Sequence, residues 1–335
     1  MVAERRQPGM AEIAAAAGVA VSTVSRALSG SRGVSSAKRA EILALARKAG
    51  YLAADAGPTL RHTVRGRVAA VIPEPDRWVF GSMLAGLHDV LTPMGASFTV
   101  YQGLSAAERA KIFGSLPRRA DVVILVPMPS GLSASSVGSL GIPVVIAGAI
   151  VDGLCSVGID DVAVGQKATN YLINTGYRHL AFISSTDHDG TPGQASALRG
   201  RGFASSMERA GLDPSWRVQV PFGPSAGRDA AEMLLAGDRL PEAVVAVSDE
   251  MAAGMMAAFR SAGVTVPDDV AIIGVDDHPV ADLMGLTTIA QPAREQGRAA
   301  AAMALRILAG EGTPASETFG TRLVIRNSTT RRASR

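Results

Sequence analysis

From about residue 68 to the carboxyl end, short apolar runs alternate with helix-length amphipathic segments, and no other feature restricts the fold so tightly. The runs are RVAAVIP, SFTVYQG, DVVILVP, IPVVIAG, HLAFISS, VVAVSD, DVAIIGVDD and a late TRLVIRN. Near-continuous apolar stretches of four to six residues describe strands buried on both faces, the condition of a parallel sheet covered by helices above and below. The body is therefore predicted to be α/β and doubly wound. Residues 68–335 are numerous enough for two such sheets.

The first 67 residues differ in texture and in charge. They hold 11 Lys or Arg against 4 Asp or Glu, whereas the rest of the chain holds 22 against 26, so the net +3 divides into a head of +7 and a body of −4. A polyanion partner or a solvated tail would each produce such asymmetry, and the pattern within the head must decide. MAEIAAAAG places Ile13 and its alanines on one stripe and ends at Gly18, a residue suited to a left-handed helix stop. VSTVSRAL repeats Val21, Val24, Ala27 and Leu28 at helical spacing, which turns Ser22, Thr23, Ser25 and Arg26 outward. SSAKRAEILALARKAGY carries a third stripe of Ile42, Leu43, Leu45 and Ala46, with Ser35 or Ser36 as N-cap and Gly50 as stop. Helix, glycine-containing turn and second helix form a helix-turn-helix pattern, whose second helix enters the major groove of double-stranded DNA. Small hydroxyls near that helix's start suit phosphate oxygens, and Arg26 has the reach for a bidentate contact with a guanine edge. Ser35, at the start of the third helix, is counted with these DNA-contacting residues. The alternative is an ordinary serine-rich surface helix.

No run of about 18 uncharged apolar residues occurs, and MVAERRQPGM lacks the apolar stretch of a secretory signal. No membrane partner is expected, and the protein is expected in the cytoplasm, on the nucleoid when bound to DNA. Cys155 is the sole cysteine, and His62, His88, His179, His188 and His278 show no ligand-like spacing with it. No disulfide, metal site or other cofactor is expected.

The segment MAEIAAAAGVAVSTVSRALSGSRGVSSAKRAEILALARKAGY resembles the headpiece of the LacI/GalR family of bacterial transcriptional regulators, whose pattern runs roughly DVAxxAGVSxxTVSRVLN and on to VSxxTRxxVxxAxxxLGY. In that family the two positions after the turn and the arginine of TVSR read bases, which implies Val21, Ser22 and Arg26 here. Ala20 stands where a serine normally caps the recognition helix, a replacement that costs about 1 kcal/mol. Val21 suits a thymine methyl better than a hydrogen-bonding edge. After Tyr51 the family usually continues into a short hinge helix that wedges a leucine into the minor groove. Leu60 falls at that place in LAADAGPTLRHTVRGR, while Gly57-Pro58 shortens or delays any such helix. The resemblance thus implies Leu60 as an intercalating wedge; the alternative is a flexible basic linker whose Arg61, Arg65 and Arg67 touch phosphates non-specifically.

The body resembles the family's periplasmic-binding-protein-like core in IDDVAVGQKATNYLINTGYRHLAFIS, in VVAVSDEMAAGMMAAFRSAGVTVPDDVAIIGVDDHPVADLMGLTTIAQP and in RLVIRNST. The implied plan is an all-α helix-turn-helix head with hinge linker over residues 1–67 and an α/β ligand-binding core over residues 68–335, made of two doubly wound parallel-sheet lobes. The lobes, about 68–159 with 293–321 and about 160–292 with 322–335, are joined by three crossovers near Asp160, Gln291 and Thr321. Ligands of such sheets sit at the carboxyl ends of the strands. The effector contacts implied by the resemblance are Arg199, whose fork suits hydroxyls or a carboxylate, and Asp276 of GVDD, which can accept two adjacent sugar hydroxyls. With them go Ser248, where the family often has asparagine, and Trp78 and Phe80, where an aromatic commonly stacks on the ligand. Gly148 replaces an aspartate that family members frequently present, so the effector is less hydroxylated than a hexose or is held mainly by the other lobe.

GPSAG at residues 223–227 matches the nucleophile elbow of α/β hydrolases, with Asp276 and His278 following in the hydrolase order. Pro221 and Pro224 interrupt the approach to that turn, and Ser225 is read instead as the cap of the helix AGRDAAEMLLAG. A secreted solute-binding protein is opposed by the missing signal peptide and by the head. The expectation is thus no enzyme but a ligand-responsive regulator, a repressor that binds a pseudo-palindromic operator as a homodimer. A small molecule, a sugar or sugar-like compound, switches it from the interlobe cleft as inducer or corepressor. Without a heptad repeat after RNSTTRRASR, a dimer is favoured over a tetramer.

Overall fold

The computed structural model describes residues 10–28, 33–48, 66–127, 133–187, 190 and 193–330. The chain forms two compact units, Met1–Thr63 and Val64–Arg335. In the first, α1 (Met10–Ala17), α2 (Val21–Leu28) and α3 (Ser36–Lys48) enclose a small core of Ile13, Ala14, Ala17, Val24, Ala27, Ile42 and Ala46. Gly18 takes φ +63 and ends α1. Ser35 starts α3, its hydroxyl accepting from the Lys38 amide at 3.3 Å. Val21 does not join the core stripe as its spacing suggested, being 46% exposed. Helix α2 has only two turns and buries a narrow stripe, Val24 and Ala27, leaving its first residue to one side.

The larger unit runs β1 (Arg67–Ile72), α4 (Trp78–Leu91), β2 (Ser97–Gln102), α5 (Ala106–Arg119), β3 (Val122–Leu125), α6 (Ala134–Gly138), β4 (Val144–Ala147), β5 (Cys155–Ile159), α7 (Asp161–Asn174), β6 (Leu180–Thr186) and α8 (Gln194–Arg209). It continues through β7 (Arg217–Pro221), α9 (Pro224–Leu235), β8 (Ala243–Ala246), α10 (Asp249–Ser261), β9 (Ala271–Asp276), α11 (Pro279–Met284), β10 (Thr287–Ala290), α12 (Ala293–Leu308), β11 (Glu317–Phe319) and β12 (Arg322–Val324). Two six-stranded sheets result, ordered β11-β5-β4-β3-β1-β2 and β12-β10-β9-β8-β6-β7. The chain passes from one sheet to the other after β5, after β10 and between β11 and β12. The fold is thus a helical helix-turn-helix unit plus two α/β lobes, as the apolar runs and the head pattern predict. The late TRLVIRN run departs from the parallel expectation: β12 pairs antiparallel with β10. It enters beside β10 after crossing back from β11 in the other sheet.

Alternation along β1 shows how both faces of a strand are used. Val68, Ala70 and Ile72 join the core under α4 and α12, whereas Ala69 and Val71 join the core on the opposite face. The second sheet is likewise covered on both sides. Close helix contacts fix where side chains point. Gly165 of α7 lies against the Arg199 carbonyl of α8 and Gly202 of α8 against the Val162 carbonyl, with no room for a Cβ at either place. That crossing sets the position of Arg199. Among the described residues no helix is long and apolar enough to cross a membrane.

Candidate functional site

The carboxyl ends of both sheets border a cavity of about 90 Å³ between the lobes. From the first lobe it is lined by Arg77 and Phe80 at the start of α4, by Met83 and by Gly148 after β4. From the second come Arg199 of α8, Ser248 before α10, Asp276 at the end of β9 and Phe222 after β7. The first wall is largely apolar. Gly148 takes φ +88, and a Cβ there would crowd the Met83 side chain.

The second wall is polar and held from behind. Arg199, 7% exposed, donates through Nε to Asp161 Oδ1 at 2.8 Å and through Nη1 to the Val247 carbonyl at 2.6 Å. Ser248 caps α10, its hydroxyl oxygen accepting from the Met251 amide at 3.3 Å, which leaves the hydroxyl proton for another acceptor. Asp276 Oδ1 accepts from Gln291 Nε2 at 2.6 Å, and Gln291 Oε1 in turn accepts from Gln296 Nε2 at 3.0 Å. Asp276 and Asp277 have φ +124 and +58, conformations that cost on the order of 1–3 kcal/mol each for residues with a Cβ and that concentrate at functional sites. Arg326 holds Asp277 at 2.8 Å and so helps fix the strained pair.

Burial dominates the electrostatics. It pushes the Asp276 carboxyl up to about 6 against the pull of Arg199 and the Gln291 amide. It raises Asp249, in the first turn of α10, well above the usual carboxylate range, and the neighbouring Asp276 charge adds to the effect. Asp249 Oδ2 accepts from the His278 amide at 2.9 Å. A buried carboxyl pair of this kind favours sharing protons over carrying two charges. No group of three or more His, Cys, Asp or Glu side chains placed to hold a metal ion occurs among the described residues.

Phe80, Arg199, Ser248 and Asp276 are thus brought to one cavity, and Trp78 is not among its lining residues. Trp78 packs on His278 with ring centroids 5.3 Å apart and borders an adjoining open hollow with Asp277, Pro292 and Thr321, which shares Asp276 and Gln291 with the cavity. Residue 78 opens α4 beside the crossover segments, while Phe80, two positions on, faces the cleft. Arg77, Phe222 and Asp161 escaped sequence reasoning. Arg77 and Phe222 meet across the lobes, and Asp161 is the inward member of Asp160-Asp161, its neighbour capping α7 at the Ala163 amide. Ser225 is not a cap: Gly223 is the N-cap of α9 and Pro224 opens it, leaving Ser225 an exposed first-turn residue. His278 Nδ1 accepts from the Val280 amide at 2.9 Å and caps α11.

In the head, Val21, Ser22, Ser25 and Arg26 are exposed and Thr23 is half-buried. Arg26 Nε donates to the Ser22 carbonyl at 3.2 Å. Ala20 occupies the N-cap position of α2, its carbonyl accepting from the Thr23 amide at 2.8 Å. Leu60 and the linker around it lie outside the described residues.

The model of the bacterial regulatory proteins of the lacI family matches residues 9–53, and that of the periplasmic binding protein-like domain matches residues 169–329. The HTH-type transcriptional regulator CelR of Thermobifida fusca is 30% identical over 97% of this chain and 99% of its own. The chain belongs to the LacI family. As a LacI-family transcriptional regulator it is also similar to the solved CelR–cellobiose complex, at 29% identity, TM-score 0.68 and coverage of 96% of this chain and 99% of that one. It shares its fold with the lac repressor dimer bound to operator and the anti-inducer ONPF, at TM-score 0.79, 19% identity and coverage of 97% and 99%.

Proposed function

We propose that this LacI-family regulator is a repressor that binds a pseudo-palindromic operator as a homodimer and is switched by a sugar-like small molecule in the interlobe cleft. The convergence of Arg199, Ser248 and Asp276 from one lobe and Phe80 from the other on a single cavity carries this conclusion. A ligand touching both walls binds the closed arrangement better than the open one and shifts the balance by that difference in affinity. The cellobiose bound to CelR supports a carbohydrate-like effector. The apolar first wall favours one with fewer hydroxyls on that side.

In the head, Ala20 brings no side-chain acceptor to the start of α2, so the amides ahead of Thr23, those of Val21 and Ser22, are offered to a phosphate oxygen. Arg26 exchanges its bond to its own Ser22 carbonyl for a guanine edge at little cost, because both groups are exposed. Leu283 and Ile325, 86% and 57% exposed, neighbour the Arg326–Asp282 ion pair, and a second copy covering them fits a homodimer. The lac repressor was solved as a dimer on its operator, which supports the same assembly. The protein acts in the cytoplasm, on the nucleoid when DNA-bound.

Two experiments test the halves of this function. In a selection from random DNA, Arg26→Ala should lose one conserved guanine per half-site while keeping salt-sensitive non-specific binding; an unchanged sequence preference removes Arg26 from base reading. A thermal-shift screen of sugars, sugar acids and nucleosides on the whole chain should find a stabilising ligand. Its effect on operator affinity should vanish in Asp276→Asn and Ser248→Ala while the DNA binding of both variants persists.

A further inference from the structure

One feature of the cleft joins its two walls. The Arg77 guanidinium carbon lies 3.3 Å from the Phe222 ring centroid and 4.5 Å from the Phe80 centroid, so a flat cation is stacked between one aromatic ring from each lobe. It is weakly fixed. Nε is buried and finds no hydrogen-bond partner among the described residues, and the contact with Glu74 is a long 3.5 Å. Arg199 in the same cavity is by contrast tied by two short bonds. Burial lowers the Arg77 pKa, opposed by the charges of Glu74, Glu250, Asp276 and Asp187. The space left beside Arg77, about 90 Å³, is well below the roughly 300–1,000 Å³ of a site for a drug-sized ligand.

We propose that the gap between Phe80 and Phe222 is a cation-recognising subsite occupied in this form by the chain's own Arg77, and that the effector carries an ammonium or guanidinium group that takes its place. The identification of the effector rests on reading the cleft as the effector site; the subsite itself does not. The charge balance of the cleft decides the class of ligand. Entry of a ring between the phenyls requires Arg77 to leave. A neutral or acidic ligand would then leave the half-buried Glu74, Asp187 and Glu250 and the buried Asp276 without that opposing charge, which is costly for the buried carboxylate. A cationic ligand restores both the stacking on two ring faces and the opposite charge.

The test uses the full chain. Arg77→Ala should bind methylguanidinium saturably by calorimetry and regain thermal stability on doing so, whereas the neutral flat analogue N-methylurea should bind at least about tenfold more weakly. Arg77→Ala/Phe222→Ala should lose the response. Equal binding of the two probes, or no binding of methylguanidinium, overturns the subsite. Nuclear magnetic resonance of the wild type needs no folded variant. The Arg77 Nε–H signal, lying between two phenyl rings, should be displaced by ring currents and should move towards the position of a free arginine on titration with glucosamine but not with glucose. If glucose moves it and glucosamine does not, the cationic effector is overturned while the cleft stands. If instead a ligand that changes operator affinity acts undiminished on Asp276→Asn, the effector cleft fails, and the methylguanidinium result still decides the subsite.

Discussion

Replacing Arg199 by alanine removes half of a buried ion pair, with consequences that reach beyond any ligand contact. Arg199 and Asp161 are 7% and 4% exposed and joined at 2.8 Å. As an intact pair they stabilise the core little, because the cost of desolvating two charges offsets their attraction. Breaking the pair strands the Asp161 carboxylate, at a cost of about 3–5 kcal/mol, and leaves the Val247 carbonyl without its donor. At about 2–4 °C per kcal/mol for a domain of this size, the melting temperature should fall by roughly 6–20 °C. The loss should depend on pH. Burial already raises the Asp161 pKa and Arg199 pulls it down, so without Arg199 it rises further. A carboxyl with a raised folded-state pKa contributes stability fully below its ordinary value near 4 and loses it as pH climbs through the folded-state value. The deficit of Arg199→Ala should therefore be small near pH ~4.5 and grow towards pH ~8. Calorimetric melts of the wild type, Arg199→Ala, Asp161→Asn and the double variant at both pH values supply the cycle. At the higher pH the double variant should recover more than half of the deficit. A double variant no more stable than Arg199→Ala, or a deficit independent of pH, refutes the stranded carboxylate. A lost ligand response in Arg199→Ala alone would therefore not prove that Arg199 touches the effector.

Three other variants address separate parts of the molecule. Ala20→Ser restores a side-chain acceptor at the start of α2 and should stabilise the head by about 1 kcal/mol, seen as slower amide hydrogen exchange in α2; unchanged exchange would mean that Ala20 is not a working cap position. Gly165→Ala drives a methyl group into the Arg199 carbonyl across the α7–α8 contact and should cost about 1–3 kcal/mol or more by thermal denaturation, a loss that Ala→Gly changes at exposed helix sites would not match. Burial lifts the Asp276 carboxyl to about 6, so its share of stability is complete below about pH 4 and is lost as pH rises through about 6. Asp276→Asn should accordingly flatten the fall in melting temperature between pH ~5 and ~7.5, and an equally steep fall in the variant would exclude Asp276 as its source.

Most strands that hydropathy makes visible have apolar burial: Val122, Val123, Ile124 and Leu125 of β3 are all fully buried and read as a strand from their composition alone, whereas the edge strand β2, read from SFTVYQG, leaves Val100 exposed. Strands β5, β7, β10 and β11 do not stand out as apolar runs, and in β5 and β10 the reason is that their burial is partly polar. Ser156 is fully buried with its hydroxyl 2.9 Å from that of Ser316, and Thr287 with its hydroxyl 2.7 Å from that of Thr329. Buried hydroxyls are tolerated only when paired, and the partners here come from segments remote in sequence, so no local window signals them. The same distinction separates the cleft residues. Arg199, Ser248 and Asp276 stand in motifs recognisable along the chain, and the ends of the neighbouring strands β8 and β9 bring Ser248 and Asp276 beside Arg199 of α8. Arg77 and Phe222 carry no such signal, because each is an ordinary residue until the lobes face one another. What makes that stack informative is its poor fixation: a long ion pair and an unpartnered Nε are a cost that the fold tolerates where another side chain would have packed without it. A half-buried arginine retained chiefly by two rings and a diffuse field of carboxylates is a group placed to be exchanged, whereas Arg199, tied by short bonds, is placed to stay.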